Sequence, residues 1–199
     1  MSKLRELFDI LLPQMQLNRS LRILITINMA FTFVIGVFAP FYAIFVQKIG
    51  GDIAFAGLSW AVFMVISGVL TLFFSRWGLR IREQELLLAF GYIVRAVVFL
   101  SYAFMTSMTQ LLFTQVLWGI AAAIGVPAFD AVYAKHTSND VSIAQWGRLE
   151  GLSSIASGLA AFCGGLAIHA FGFVPIFLGM AVISIFLGLF IWRLPREVL

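Results

Sequence analysis

Two ionisable residues stand where charge is expensive. Arg95 follows an almost wholly apolar run from Leu86, and the next formal charge after it is Asp130. An arginine in such a stretch turns away from lipid and faces other helices. It can attract an anion or pair with a proton-carrying carboxylate. Equally, it can serve as a structural post, hydrogen-bonded to helix carbonyls and to Ser or Gln side chains. The Asp130 carboxylate can carry a proton, its affinity raised by desolvation and lowered by any nearby cation. Uncharged polar residues add a second set. Asn28 and Thr32 are four apart and share one helix face, and Tyr42, Gln115 and Trp118 lie in neighbouring apolar runs. They suit either a polar path or hydrogen bonds from helix to helix.

Other chemistries lack their residues. There is no Gly-x-x-x-x-Gly-Lys-Ser/Thr phosphate loop, no Ser-His-Asp arrangement and no metal-ligand spacing. The sequence therefore points to no enzyme, no cofactor, no metal and no ATP-driven step. His169 reads as a solvated residue ending the fifth apolar run, and Arg148 with Glu150 as an interfacial ion pair or snorkelling arrangement. The single cysteine, Cys163, allows no intrachain disulfide.

These residues need long apolar helices to hold them. Hydrophobic residues make up 62% of the 199 and charged residues 11%, against about 45–50% and about 25% in soluble domains. The missing polar surface implies lipid, and long unbroken apolar runs exclude the alternating pattern of a membrane barrel. Spans of about 20 residues fall at 23–46, 53–74, 86–105, 110–133, 145–169 and 174–193. The polar cluster Met105 to Gln110 divides the third from the fourth. His169 to Pro175 divides the fifth from the sixth, with Gly and Pro supplying the turn.

The charges set an orientation. With both ends in the cytoplasm, the inner segments hold Lys3, Arg5, Arg19, Arg22, Arg76, Arg80, Arg82, Lys135, Arg148, Arg193 and Arg196, whereas the outer ones hold only Lys48. That split follows the positive-inside rule. It also assigns the net charge of +4 to cytoplasmic loops rather than to nucleic-acid binding. Residues 1–20 form a cytoplasmic leader in which Leu4, Leu7, Phe8, Leu11 and Leu12 mark a short amphipathic helix on the inner membrane surface. Residues 21–195 form the six-helix domain.

An internal repeat runs through that domain. Ile35-Gly36-Val37-Phe38-Ala39-Pro40 in the first span parallels Ile124-Gly125-Val126-Pro127 in the fourth. Gly50-Gly51-Asp52-Ile53 parallels Ser138-Asn139-Asp140-Val141, and Ser67-Gly68 parallels Ser157-Gly158. Spans one and four cross in opposite senses, so the pattern is an inverted three-plus-three repeat. Arg76, Gly78 and Arg80 match part of a Gly-x-x-x-Asp-Arg-x-Gly-Arg-Arg loop, with Thr71 and Ser75 in place of its first Gly and its Asp. Gln115, Gly119 and Ala123 follow an Arg-x-x-x-Gly-x-x-x-Ala pattern with Gln for Arg. Gly158, Gly164 and Gly165 fall where a Gly-rich exporter motif lies, with Ala160 and Ala161 for its Gly-Pro.

With these motifs in this order, residues 20–195 resemble the major facilitator superfamily. The resemblance implies an all-α membrane protein built as two inverted three-helix repeats, equal to the N-terminal-like half of a twelve-helix fold. It implies a substrate path along the first and fourth spans, through Asn28, Thr32, Tyr42, Gln115 and Trp118, with Arg95 on a usually peripheral third span. It implies gating or proton coupling by Asp130 with Arg76 and Arg80. A lone half has no closed pathway, so the implied partners are the lipid bilayer, a second copy or another half-transporter, and a small-molecule substrate. The implied function is a half-size secondary transporter of the cell membrane, moving its substrate by alternating access as a homodimer. A non-transporting scaffold or accessory subunit of the same fold is the alternative.

Overall fold

A computed structural model describes residues 18–78, 83–138 and 142–195, with backbone alone for 75–78. The expected leader helix and Arg80 lie outside the described residues, and Arg76 is described only as helical backbone. The helices are α1 (Arg19–Phe38), α2 (Tyr42–Lys48), α3 (Ile53–Gly78), α4 (Gln84–Ala103), α5 (Met108–Lys135), α6 (Ser142–Phe171) and α7 (Phe173–Arg193). They provide six units long and apolar enough to cross a membrane, and the described residues contain no strand.

The first unit comprises α1, a 3-10 turn at Ala39–Phe41, and α2. The sequence reads as one unbroken span there. Pro40 explains the difference, because proline lacks the N–H that would continue the helical ladder. Pro127 removes a bond in the same way, yet α5 runs on past it. Between α6 and α7 a single residue, Gly172, makes the turn at φ +77°, a backbone region favourable only for glycine. Pro175 then sits in the first turn of α7, where its missing N–H costs nothing. His169 belongs to the last turn of α6 rather than to a loop.

Side-chain caps fix the starts of α1, α3 and α5. The Asn18 side chain accepts from the Leu21 N–H at 2.8 Å, Asp52 Oδ1 accepts from the Phe55 N–H at 2.7 Å, and Ser107 with Gln110 forms a reciprocal capping box. Each satisfies an N–H that has no partner within its helix.

Packing reproduces most of the repeat. α1 packs on α6 as α5 packs on α3, and α4 packs on α7. A glycine lies in each contact. A Cβ on Gly164 would meet Val37 Cα at 2.7 Å, one on Gly119 would meet Ile66 Cβ at 2.9 Å, and one on Gly188 would meet the Ala89 carbonyl oxygen at 3.1 Å. Only glycine lets helices approach this closely. The symmetry breaks at α4 and α5, which pack extensively while their counterparts α7 and α1 barely touch. There a Cβ on Gly91 would lie 3.0 Å from Gly125 Cα, so the two backbones cross almost in contact. Gly36 and Gly125 lie equally far from their helix starts but face different neighbours. Gly36 meets Ala160 of α6, and Gly125 meets Arg95 of α4.

Two apolar clusters fill the bundle. One gathers Phe38, Phe45, Tyr102, Trp118, Phe173 and Phe177. The other gathers Leu21, Leu24, Leu88, Tyr92, Phe129, Leu149 and Ile191. Leu21 begins the first unit and Ile191 ends the last, so both described ends lie at the same end of the bundle.

Candidate functional site

Arg95 lies eleven residues into α4, about 16 Å from its start at 1.5 Å per residue. It is 4% exposed. Its Cζ lies 4.5 Å from the Phe31 ring centre and 5.3 Å from that of Tyr92. Gly125 supplies the remaining room, since a Cβ there would sit 3.0 Å from Nη1. The guanidinium thus reaches from α4 to α1 and α5. Nε has no hydrogen-bond partner, and among the described residues no carboxylate comes within ion-pair distance. The helix-carbonyl post envisaged from the sequence is not what is built. Ring faces hold the arginine, which also lines the space beside it.

That space is a cavity of about 140 Å³ bordered by Asn28, Phe31, Tyr92, Arg95, Phe129, Asp130 and Glu150, among others. The sequence alone did not join Arg95, Asn28 and Asp130; the structure does. Asn28 donates to Ser153 Oγ at 2.7 Å, linking α1 to α6. Of the two arrangements expected for Arg148 and Glu150, the ion pair does not form among the described residues, because residues two apart on a helix point to different faces; Glu150 borders the cavity. Among the described residues the cavity therefore carries one guanidinium and two carboxylates.

A second polar group lies in the aromatic cluster. Gln115 is fully buried and Tyr42 is 6% exposed. Gln115 Nε2 donates to the Tyr42 hydroxyl, which shares a hydrogen bond of 2.7 Å with Ser59 Oγ. Ser59 also donates to the Ala56 carbonyl at 3.0 Å. Gln115 Oε1 and the Tyr102 hydroxyl are buried without partners. Trp118 packs edge-on against Trp60 and Tyr102 and tilted on Phe63. The sequence residues thus divide into two sites, with Asn28, Arg95 and Asp130 in one and Tyr42, Gln115 and Trp118 in the other. Thr32 is half-buried and borders neither. Ser59, Ser153 and Tyr92 were not legible as site residues, since nothing in their local spacing separates them from other helix positions.

The end of the bundle near the cavity is pinned by polar contacts. Lys135 Nζ lies 3.3 Å from Glu85 Oε1, Asn18 Nδ2 donates to the His136 carbonyl at 3.2 Å, and the Tyr133 hydroxyl donates to the Gln145 carbonyl at 2.7 Å. They tie α1, α4, α5 and α6 together around the cavity.

Six apolar units enclosing buried polar residues, with large hydrophobics such as Leu72, Phe113 and Phe162 exposed outward, define a multi-pass α-helical membrane protein. The chain belongs to the Major Facilitator Superfamily, whose family model matches residues 24–198. Members of that family are transporters rather than enzymes. No curated protein matches the chain.

Proposed function

We propose that the chain is a half-size secondary transporter of the cell membrane that moves a small molecule by alternating access as a homodimer, with both ends cytoplasmic. One observation carries the reading. The two helices exchanged by the inverted repeat, α3 and α6, are also the least covered, with only 11% and 22% of their most apolar stretches buried, against 56% for α4 and α5. On α6, Gly147, Gly151 and Gly158 face open space, as do Gly57 and Gly68 on α3. Such faces permit close approach of a second bundle. A copy seated on them would enclose a path between the two halves.

Within this reading the path runs along α1 and α5, past Asn28, Thr32, Tyr42, Gln115 and Trp118, with Arg95 reaching it from α4. Asp130 gates the path, with Arg76 and Arg80 as its partners. The basic residues near the ends of α1, α5 and α7 support the inward orientation. The test joins two measurements on purified protein. Molar mass in lipid nanodiscs should correspond to two copies, and proteoliposomes should accumulate a labelled solute from a screening panel with a pH gradient imposed. A monomer at every concentration removes the homodimer. A dimer that moves no solute, with or without the gradient, favours the scaffold or accessory subunit.

A further inference from the structure

We propose that the Arg95 cavity binds a small zwitterion, its anionic group on the Arg95 guanidinium and its cationic group between the Asp130 and Glu150 carboxylates. The inference rests on the cavity belonging to the substrate path and adds the chemical class of ligand. The first support is the state of Arg95. A guanidinium presents five N–H donors, and a buried charge without an acceptor is costly. The Phe31 and Tyr92 rings cover a guanidinium face, which does not satisfy its N–H edge. Among the described residues Nε has no acceptor and no carboxylate lies within ion-pair distance of the guanidinium.

The second support is the placement of opposite charge. The guanidinium touches Gly125, and Asp130 lies five residues further along α5, about 7.5 Å by helical rise. Glu150 borders the same cavity from α6. Both carboxylates are exposed and neither pairs with Arg95, so cation and anions stand apart in one space. An anion alone would face two carboxylates bordering the same space. A cation alone would leave Arg95 without an acceptor. A ligand carrying both charges meets both walls. The space of about 140 Å³ has room for such a small molecule.

Calorimetric titration of the full chain in nanodiscs tests this with glycine, β-alanine, 4-aminobutyrate and glycine betaine, and with acetate and ethylammonium as single-charge controls. At least one zwitterion should bind about tenfold or more tightly than either control, since charge-assisted hydrogen bonds are of that order. Arg95→Gln should abolish that advantage, and Arg95→Lys should retain part of it. If the glutamine variant does not fold, Asp130→Asn combined with Glu150→Gln, both at exposed positions, should bring the best zwitterion down to the affinity of acetate. Binding of acetate or ethylammonium as tight as any zwitterion overturns the proposal, as does no binding by the whole panel. A zwitterion that binds without entering proteoliposomes keeps this inference and removes transport. Uptake of an uncharged solute with no zwitterion bound does the reverse.

Discussion

Gly158 and Gly164 lie close together on α6, yet the packing gives them opposite roles. A Cβ on Gly164 would sit 2.7 Å from Val37 Cα and 2.8 Å from its carbonyl carbon. Carbon atoms ordinarily rest at about 3.5–4.0 Å, so Gly164→Ala requires α1 and α6 to part by about 1 Å. The obstacle is backbone and cannot rotate away. Overpacking of this kind costs about 1–3 kcal/mol, and the same parting loosens the contact of Gly36 with Ala160. A Cβ on Gly158 meets nothing within 4 Å, so Gly158→Ala should cost nothing and can add up to about 1 kcal/mol of helix preference. Thermal unfolding in detergent, followed by tryptophan fluorescence, should therefore place Gly164→Ala clearly below the parent and Gly158→Ala at or above it. A larger residue, Gly158→Phe, should weaken the proposed dimer while leaving the monomer melting point unchanged. If Gly164→Ala melts with the parent, the close crossing of α1 and α6 is refuted, along with the reasoning from it.

Tyr42→Phe should destabilise by about 1–3 kcal/mol, because the buried Gln115 amide loses the hydroxyl that accepts from it. Adding Gln115→Leu should recover part of that loss, and a double-mutant cycle in denaturant reads the coupling. Glu85→Gln should cost no more than about 1 kcal/mol and lose its effect at high salt, since Lys135 is 54% exposed and such pairs are weak; melting at two salt concentrations checks it. Gly125→Ala should push the Arg95 guanidinium off its seat and weaken zwitterion binding severalfold with little change in melting, because the far end of a long side chain can yield where backbone cannot. Titration of the variant measures the effect.

The number of spans was legible because a membrane demands about 20 apolar residues per crossing, and chemistry enough to interrupt them is rare in this chain. Arg95 and Asp130 stood out for the same reason, as charges in apolar surroundings. The faint repeat was also readable, through Gly36, Pro40, Gly125 and Pro127. Its consequences were not. Pro40 ends α1 while Pro127 leaves α5 continuous, and Gly36 and Gly125 contact different partners.

Composition and period thus determined by themselves that this is a bundle of six apolar helices with two misplaced charges, since hydrophobicity acts along the chain and needs no partner. Tertiary structure alone decided that Arg95 rests on Phe31, Tyr92 and Gly125, that Asn28, Asp130 and Glu150 share its cavity, and that Tyr42, Ser59 and Gln115 form a separate chain of hydrogen bonds. Those groupings depend on the rotation and crossing of whole helices. Pairs of glycines and their neighbours on different spans set these, and no local spacing records them.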